Sequence, residues 1–410
     1  MAASHAVNRK LKDAIFEANG ACKEAIKKFG ADKVTNATIG VVLDDSGKLA
    51  VLPTVEKVYK SLDMADFSSY APIAGIADYK DTVNKIIFGD INYKGFFSSF
   101  ATSGGTGAIH HAIANYAERG EKVLTSDWCW GTYKVICTET GKDLETFKLF
   151  DDEYTSFNIS AFSDKVEEIL KNQNSLLIIL NTPAHNPTGY ALSEDEWDKV
   201  IDVIKNHAAK GKKITLLVDI AYIDFAGEKQ NAWGFVQKFS GLPENVLALI
   251  SYSMSKSYTL YGQRTGALAA FSTNSEIIKE FEETNKFSCR ACWSNINNAA
   301  QTLLVKLNAD KKLLAELKND RKNLRDLVQG RAEIFVNEAK NCGLKIVPYK
   351  GGFFIAVPAE NPQAVCEKLH DDLIFAVPLK LGVRVAACSM SSEKIHGVAE
   401  KMKAAIDSLK

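Results

Sequence analysis

Five short apolar runs recur along the middle of the chain, at residues 122–125, 176–180, 214–219, 246–251 and 266–271. Stretches of helical period lie between several of them, including 194–210. Short apolar runs bounded by polar residues read as buried strands. Strands alternating with helices predict an α/β fold, a mostly parallel sheet covered by helices on both faces. No internal repeat or low-complexity linker interrupts the pattern.

The two ends of the chain read differently. Residues up to about 33 predict one or two helices, at 11–16 and 21–29, followed by an extended run and a polar turn from Asp44 to Gly47. Pro53 is placed to open a helix, and a further helix is expected over 77–88. Beyond Phe271 the pattern turns helical, with one long amphipathic helix expected over 311–342. Short strands at 352–357 and 382–387, with helices at 362–370 and 392–409, predict a small α/β lobe. The expected division is a large domain over 49–310 and a small discontinuous domain built from 1–48 and 311–410.

Bulk properties narrow the class. A chain of 410 residues is too long for one small core. Fifty basic and fifty acidic side chains cancel, so no global field draws the protein to nucleic acid or to an anionic membrane. No run of about eighteen apolar residues and no signal peptide is visible, and eight scattered cysteines form no disulfide framework, so the cytoplasm is expected. Cys289-Arg-Ala-Cys292 has the spacing of half a zinc site. With no second such pair and no nearby histidine pair to complete four ligands, it reads as coincidence, and no metal is expected.

The chemistry concentrates in Ser251 to Gly266, S-Y-S-M-S-K-S-Y-T-L-Y-G-Q-R-T-G. Lys256 follows an apolar strand and lies near Arg264; a lysine beside a cation and away from water favours its neutral amine, the form that attacks a carbonyl. Ser253, Ser255 and Arg264 are donors suited to a phosphate. In isolation S-x-S-K is also an ordinary strand-to-loop crossing with an exposed lysine. Gly104, Gly105, Thr106 and Gly107 precede a helical pattern, where backbone N–H groups can converge on an anion or simply make a turn. Asp219 ends the run I-T-L-L-V-D, either at a ligand-binding strand end or as a helix cap. Asn186, in a proline-rich loop after a strand, and Tyr222 can both donate to a phenolate oxygen. Trp130 can stack on a planar ring or fill a core. Arg384 in G-V-R-V suits a carboxylate clamp or a snorkelling surface side chain. Gly40 allows close approach of a ligand to backbone or a bulge.

Taken together and in this order, these residues resemble the class I aminotransferases, above all the aspartate and aromatic aminotransferase branch, from about Thr35 to the C-terminus. The resemblance implies a fold-type I pyridoxal phosphate enzyme. It makes Lys256 the Schiff-base lysine that also shuttles the substrate proton, and Asp219 the partner of the pyridine nitrogen. Asn186 and Tyr222 would hold the phenolic oxygen, and Trp130 would stack on the ring. Gly105, Thr106, Ser253, Ser255 and Arg264 would bind the phosphate, with Tyr70 reaching in from the second subunit of a homodimer. For the substrate, Arg384 would clamp the α-carboxylate, Arg290 would bind a distal carboxylate across the dimer interface, and Gly40 would line the site. The implied reaction is ping-pong transfer of an amino group from aspartate or an aromatic amino acid to a 2-oxoacid such as 2-oxoglutarate. A decarboxylase or β-lyase on the same scaffold is the alternative. A DNA-binding regulator fits poorly, since only about forty residues precede Gly40 and the net charge is zero. Ser294-Asn295-Ile296-Asn297 lacks the family's usual prolines, and Asn181 and Tyr133 stand where aspartate aminotransferases commonly have histidines.

Overall fold

The computed structural model describes residues 1–7, 9, 11–89, 93–226 and 232–410. A seven-stranded sheet forms its centre: β1 (Phe96–Thr102), β2 (Lys122–Ser126), β3 (Asp143–Phe147), β4 (Ser175–Asn181), β5 (Lys213–Asp219), β6 (Val246–Ser253) and β7 (Gly266–Ser272). The order across the sheet is β1-β7-β6-β5-β4-β2-β3. β7 runs antiparallel to both neighbours, and the other pairings are parallel. Six strands therefore point their C-terminal ends to one edge.

The strand sequences explain their depth. In β4 to β6 successive side chains alternate between two cores. Leu216, Val218, Ala248 and Ile250 face one, while Leu217, Leu247 and Leu249 face the other. A strand buried on both faces needs a continuous apolar run, which is what the sequence shows. Sequence reading missed β1 and β3. β3 reads D-L-E-T-F, with only its last residue buried, because it is the outermost strand beyond β2 and carries polar side chains.

A second, smaller domain draws on both ends of the chain. β8 (Phe354–Pro358), β9 (Val377–Leu379) and β10 (Gly382–Ala386) form an antiparallel sheet in the order β9-β10-β8. Its core includes Ile355, Val383, Phe335 and Met402. Thr35–Asn36 pairs in parallel with Ile374–Phe375, which ties the N-terminal segment to this domain. The helix Lys311–Cys342 spans both lobes: Leu313, Leu317 and Leu324 pack on the large core, and Ala332, Phe335 and Ala339 on the small one.

Three boundaries differ from the sequence expectation. The N-terminal helix, one of the two arrangements expected, starts at Ala14 rather than 11 and runs unbroken to Phe29; Asp13 sets its start by accepting from Ile15 N and Phe16 N. β8 starts at Phe354, after Gly352 with φ +96°. The last helix starts at Val398, not Ser392: Gly397 has φ +76°, and Ser392 turns back to donate from N and Oγ to Asp45. No helix among the described residues is long and apolar enough to cross a membrane.

Candidate active site

The C-terminal strand ends build the site. Asn181, Asp219 and Ser251 sit side by side as register partners on β4, β5 and β6. The loop after β4 carries Asn186, the loop after β2 carries Trp130, and a short helix after β6, Met254–Ser257, carries Lys256. β7 begins at the same edge, so Arg264 arrives there too. This is where open α/β sheets bind ligands.

Ten expected residues line one pocket. Lys256, Asp219, Tyr222, Asn186 and Trp130 form one part, and Gly105, Thr106, Ser253, Ser255 and Arg264 the other. Lys256 Nζ lies 5.6 Å from the Tyr222 ring centroid and 5.5 Å from that of Tyr261. Burial, then the charge of Arg264, lowers the Lys256 pKa to about 8. The neutral amine is thus accessible near neutral pH. Arg321, on the long helix, donates Nε to Ser257 O at 2.7 Å and holds the lysine's helix in place.

Asp219 is 5% exposed, and burial pushes its carboxyl up. Tyr133 opposes this by donating to Asp219 Oδ2 at 2.6 Å, as does Ala221 N to Oδ1 at 3.2 Å. Asn181 braces the same edge: Nδ2 donates to Asp219 O at 2.8 Å, and Oδ1 accepts from Asn186 N at 2.6 Å. Sequence reading flagged Tyr133 and Asn181 as departures but assigned them no contact. The structure makes one the partner of Asp219 and the other the link between strand and loop.

The other part is a cradle of donors. The helix Gly104–Tyr116 starts at the pocket, so its first-turn N–H groups and positive dipole end face it. Gly104 has φ +65°, and a Cβ there would meet Arg264 Nη2 at 2.8 Å. A Cβ on Gly105 would come to 3.2 Å from Ser253 Cβ. The glycines therefore let backbone, two serines and a guanidinium crowd around one small space. Arg264 Nη1 donates to Tyr261 O at 3.0 Å and to Ser255 Oγ at 3.4 Å. Such a donor set suits a phosphate.

Arg384 stands beside the pocket, 2% exposed. Its Nη2 donates to Thr38 O at 2.7 Å and Nη1 to Asn186 Oδ1 at 3.3 Å, while its carbon Cζ lies 4.2 Å over the Phe354 ring. Nε is buried without a hydrogen bond, and burial lowers the pKa to about 10. A buried guanidinium held by neutral oxygens is costly unless an anion joins it. Gly40 lies against the same ring, where a Cβ would meet Phe354 Cζ at 2.9 Å. Tyr70 and Arg290 are not brought to this pocket within one chain: Tyr70 is 89% exposed, and Arg290 is exposed with Nη1 donating to Ser294 Oγ at 3.3 Å.

A doubly covered sheet of mixed strand direction, a discontinuous small domain and a lysine at the strand ends define the fold-type I pyridoxal phosphate architecture. The family model for aminotransferase class I and II matches residues 32–402, and the chain belongs to that family. It is similar to the crystal structure of an aminotransferase from Anaerococcus prevotii DSM 20548, with a TM-score of 0.96, 38% identity and 99% of each chain covered. The fold is shared with an aromatic-amino-acid aminotransferase from Burkholderia pseudomallei covalently bound to pyridoxal phosphate (TM-score 0.80, 22% identity, 99% of this chain and 100% of that one). The mitochondrial aspartate aminotransferase of Schizosaccharomyces pombe is 29% identical over 280 residues, 66% of this chain. The match spans only 61% of that protein, and 63% and 64% of its counterparts from Xenopus tropicalis and Gallus gallus.

Proposed function

We propose that the protein is a pyridoxal 5'-phosphate-dependent aminotransferase. It would move the amino group of aspartate, or of an aromatic amino acid, to a 2-oxoacid such as 2-oxoglutarate in a ping-pong cycle. One observation carries this reading: an amine with its pKa lowered to about 8 lies between a buried carboxylate and a phosphate-type donor cradle. The cofactor supplies an aldehyde for the substrate amine and a ring that accepts the electron pair left at Cα. The residues present fit it, since a Cβ at Gly104 or Gly105 would crowd the Arg264 and Ser253 donors, and Asp219 is a buried carboxylate lining the same pocket.

The chain's own side chains then have separable tasks. Lys256, freed as an amine, would take the proton from substrate Cα and deliver it to the cofactor carbon that carried the aldehyde, on the other side of the nitrogen. Asp219, held in orientation by Tyr133, keeps the ring nitrogen protonated. Asn186 and Tyr222 bind the phenolic oxygen, and Trp130 covers one ring face. Gly105, Thr106, Ser253, Ser255 and Arg264 hold the phosphate. Arg384 grips the α-carboxylate with its planar fork, with Gly40 and Phe354 shaping the wall behind it.

The proposal includes a homodimer in which Tyr70 and Arg290 complete the neighbouring site. Their exposure, with Phe67 and Phe287 also exposed, supports a face awaiting a second copy. Arg290 would then recognise a distal carboxylate. The free state of all eight cysteines supports a reducing, cytoplasmic setting. The test is steady-state kinetics with aspartate and 2-oxoglutarate. Parallel double-reciprocal lines and loss of at least ~10³-fold in kcat for Lys256→Ala are expected. Intersecting lines, or a Lys256→Ala enzyme turning over normally, would end the proposal.

A further inference from the structure

We infer that His110, His111 and Cys292 form a site for a divalent transition-metal ion of the zinc type, outside the pocket described above. Cys292 was set aside in the sequence because no histidine pair lay near it; the fold supplies that pair. One ligand atom from each of the three residues lies within 4.8 Å of the others. Metal–ligand lengths of about 2.0–2.3 Å in a tetrahedron require separations of roughly 3.3–3.8 Å, so small side-chain adjustments of the three residues are needed to close the set. Cys289 is not a ligand, since it is buried and its thiol points to Ile73 O.

Unpaired polar atoms supply the independent reason. His111 is fully buried; Asn285 comes near one ring nitrogen without a well-formed hydrogen bond, and the other nitrogen has no polar partner. Asn285, whose Oδ1 is also unpaired, is its polar neighbour. A proton on the nitrogen facing Asn285 would leave the other nitrogen's lone pair free. The imidazole is stacked on Trp293 at 4.7 Å and 7°, which fixes its plane. His110 is arranged in the same way: Nε2 faces Glu139 Oε2 at 3.3 Å, and Nδ1 is buried without a partner. A histidine with one nitrogen on a carboxylate and the other free is the usual outer support of a zinc ligand.

Charge and access agree. A cavity of about 590 Å³ opens onto His110 and Cys292 and provides the entry path. Arg9, Arg119 and Lys142 line it as well, so a doubly charged ion needs local anions. Glu139 is one. The Cys292 thiol becomes the other, giving its proton to water as the Sγ–metal bond forms. The ion would pin the end of the helix Ser275–Cys292, which carries Arg290, to the helix Gly104–Tyr116, whose first turn lines the pocket.

The test uses the cofactor-loaded enzyme, stripped with a chelator and titrated with cobalt(II). One cobalt per chain is expected, with the strong visible bands of a four-coordinate ion, a thiolate-to-cobalt charge-transfer band and release of one proton. The charge-transfer band should vanish in Cys292→Ser, and the four-coordinate bands should weaken in His110→Ala and His111→Gln. Zinc should raise the melting temperature of the parent but not of Cys292→Ser, whose metal-free melting should match the parent's because its side chain is exposed. Absence of bound cobalt, a weak six-coordinate spectrum, or a charge-transfer band that survives in Cys292→Ser would overturn the site. Amino transfer itself is tested separately, so either idea can fail alone.

Discussion

Tyr133 donates to Asp219 in a fully buried hydrogen bond of 2.6 Å. Removing it leaves a buried carboxylate oxygen without its donor, a loss of about 1–3 kcal/mol. Tyr133→Phe should therefore weaken cofactor retention and lower kcat several-fold, measured by equilibrium dialysis and initial rates; unchanged values would mean that Asp219 does not depend on it. Lys256 gives a pH prediction. Its folded pKa of about 8 lies below the ordinary lysine value of 10.5, so folding expels a proton between those limits. Below pH 8 the full cost is present, and it is recovered as pH rises toward 10.5. In denaturation of the apoprotein, Lys256→Met should be more stable than the parent at pH 7, with the gap closing by pH 10.5. A pH-independent gap would contradict the buried amine. Asp219 ends an apolar run, Arg384 interrupts one, and Lys256 stands among hydroxyl residues just after one, so all three were legible in sequence. The fold brings Lys256 and Asp219 into one pocket with Arg384 beside it. Tyr133's bond was not legible, because its partner lies on another element and no local pattern records the pairing.

At the level of elements, the start of β7 is a tight joint beside the site. A Cβ on Gly266 would fall 2.4 Å from Tyr252 O and 2.8 Å from Gly104 C. Both are backbone atoms that cannot swing away, and Gly104 opens the phosphate-side helix. Gly266→Ala should cost about 1–3 kcal/mol of stability and also weaken cofactor binding. Denaturant titration and cofactor affinity check both; a full-affinity variant would show that the cradle tolerates displacement. Interior strands were visible in sequence because two buried faces demand unbroken apolar residues. β3 was invisible because an edge strand answers to solvent on most of its residues. The last helix was placed too early because Ser392 caps Asp45 rather than starting a turn of helix, a contact that only the folded chain makes.

For the whole molecule, the proposed dimer makes a complementation experiment decisive for Arg290. Mixing Lys256→Ala chains with Arg290→Ala chains should regenerate one intact site per mixed dimer, so activity toward aspartate should recover to about a quarter of the parent's at random pairing of equal amounts. No recovery in demonstrably mixed dimers would place Arg290 in its own subunit's site or in none. The order of the site residues along the chain carried the family in sequence. The assembly did not show there, since exposed residues such as Tyr70 look alike whether they face water or a second copy. The most direct measurement of the central claim is the absorption spectrum of the cofactor-loaded enzyme in single half-reactions, first with aspartate and then with phenylalanine. Loss of the bound-aldehyde band to the amine form of the cofactor, at low concentrations of aspartate, is the expected result and supports the Arg290 assignment. Conversion chiefly by phenylalanine or tyrosine would keep the chemistry and make this an aromatic aminotransferase. A protein that shows no such band after addition of pyridoxal phosphate would contradict the account.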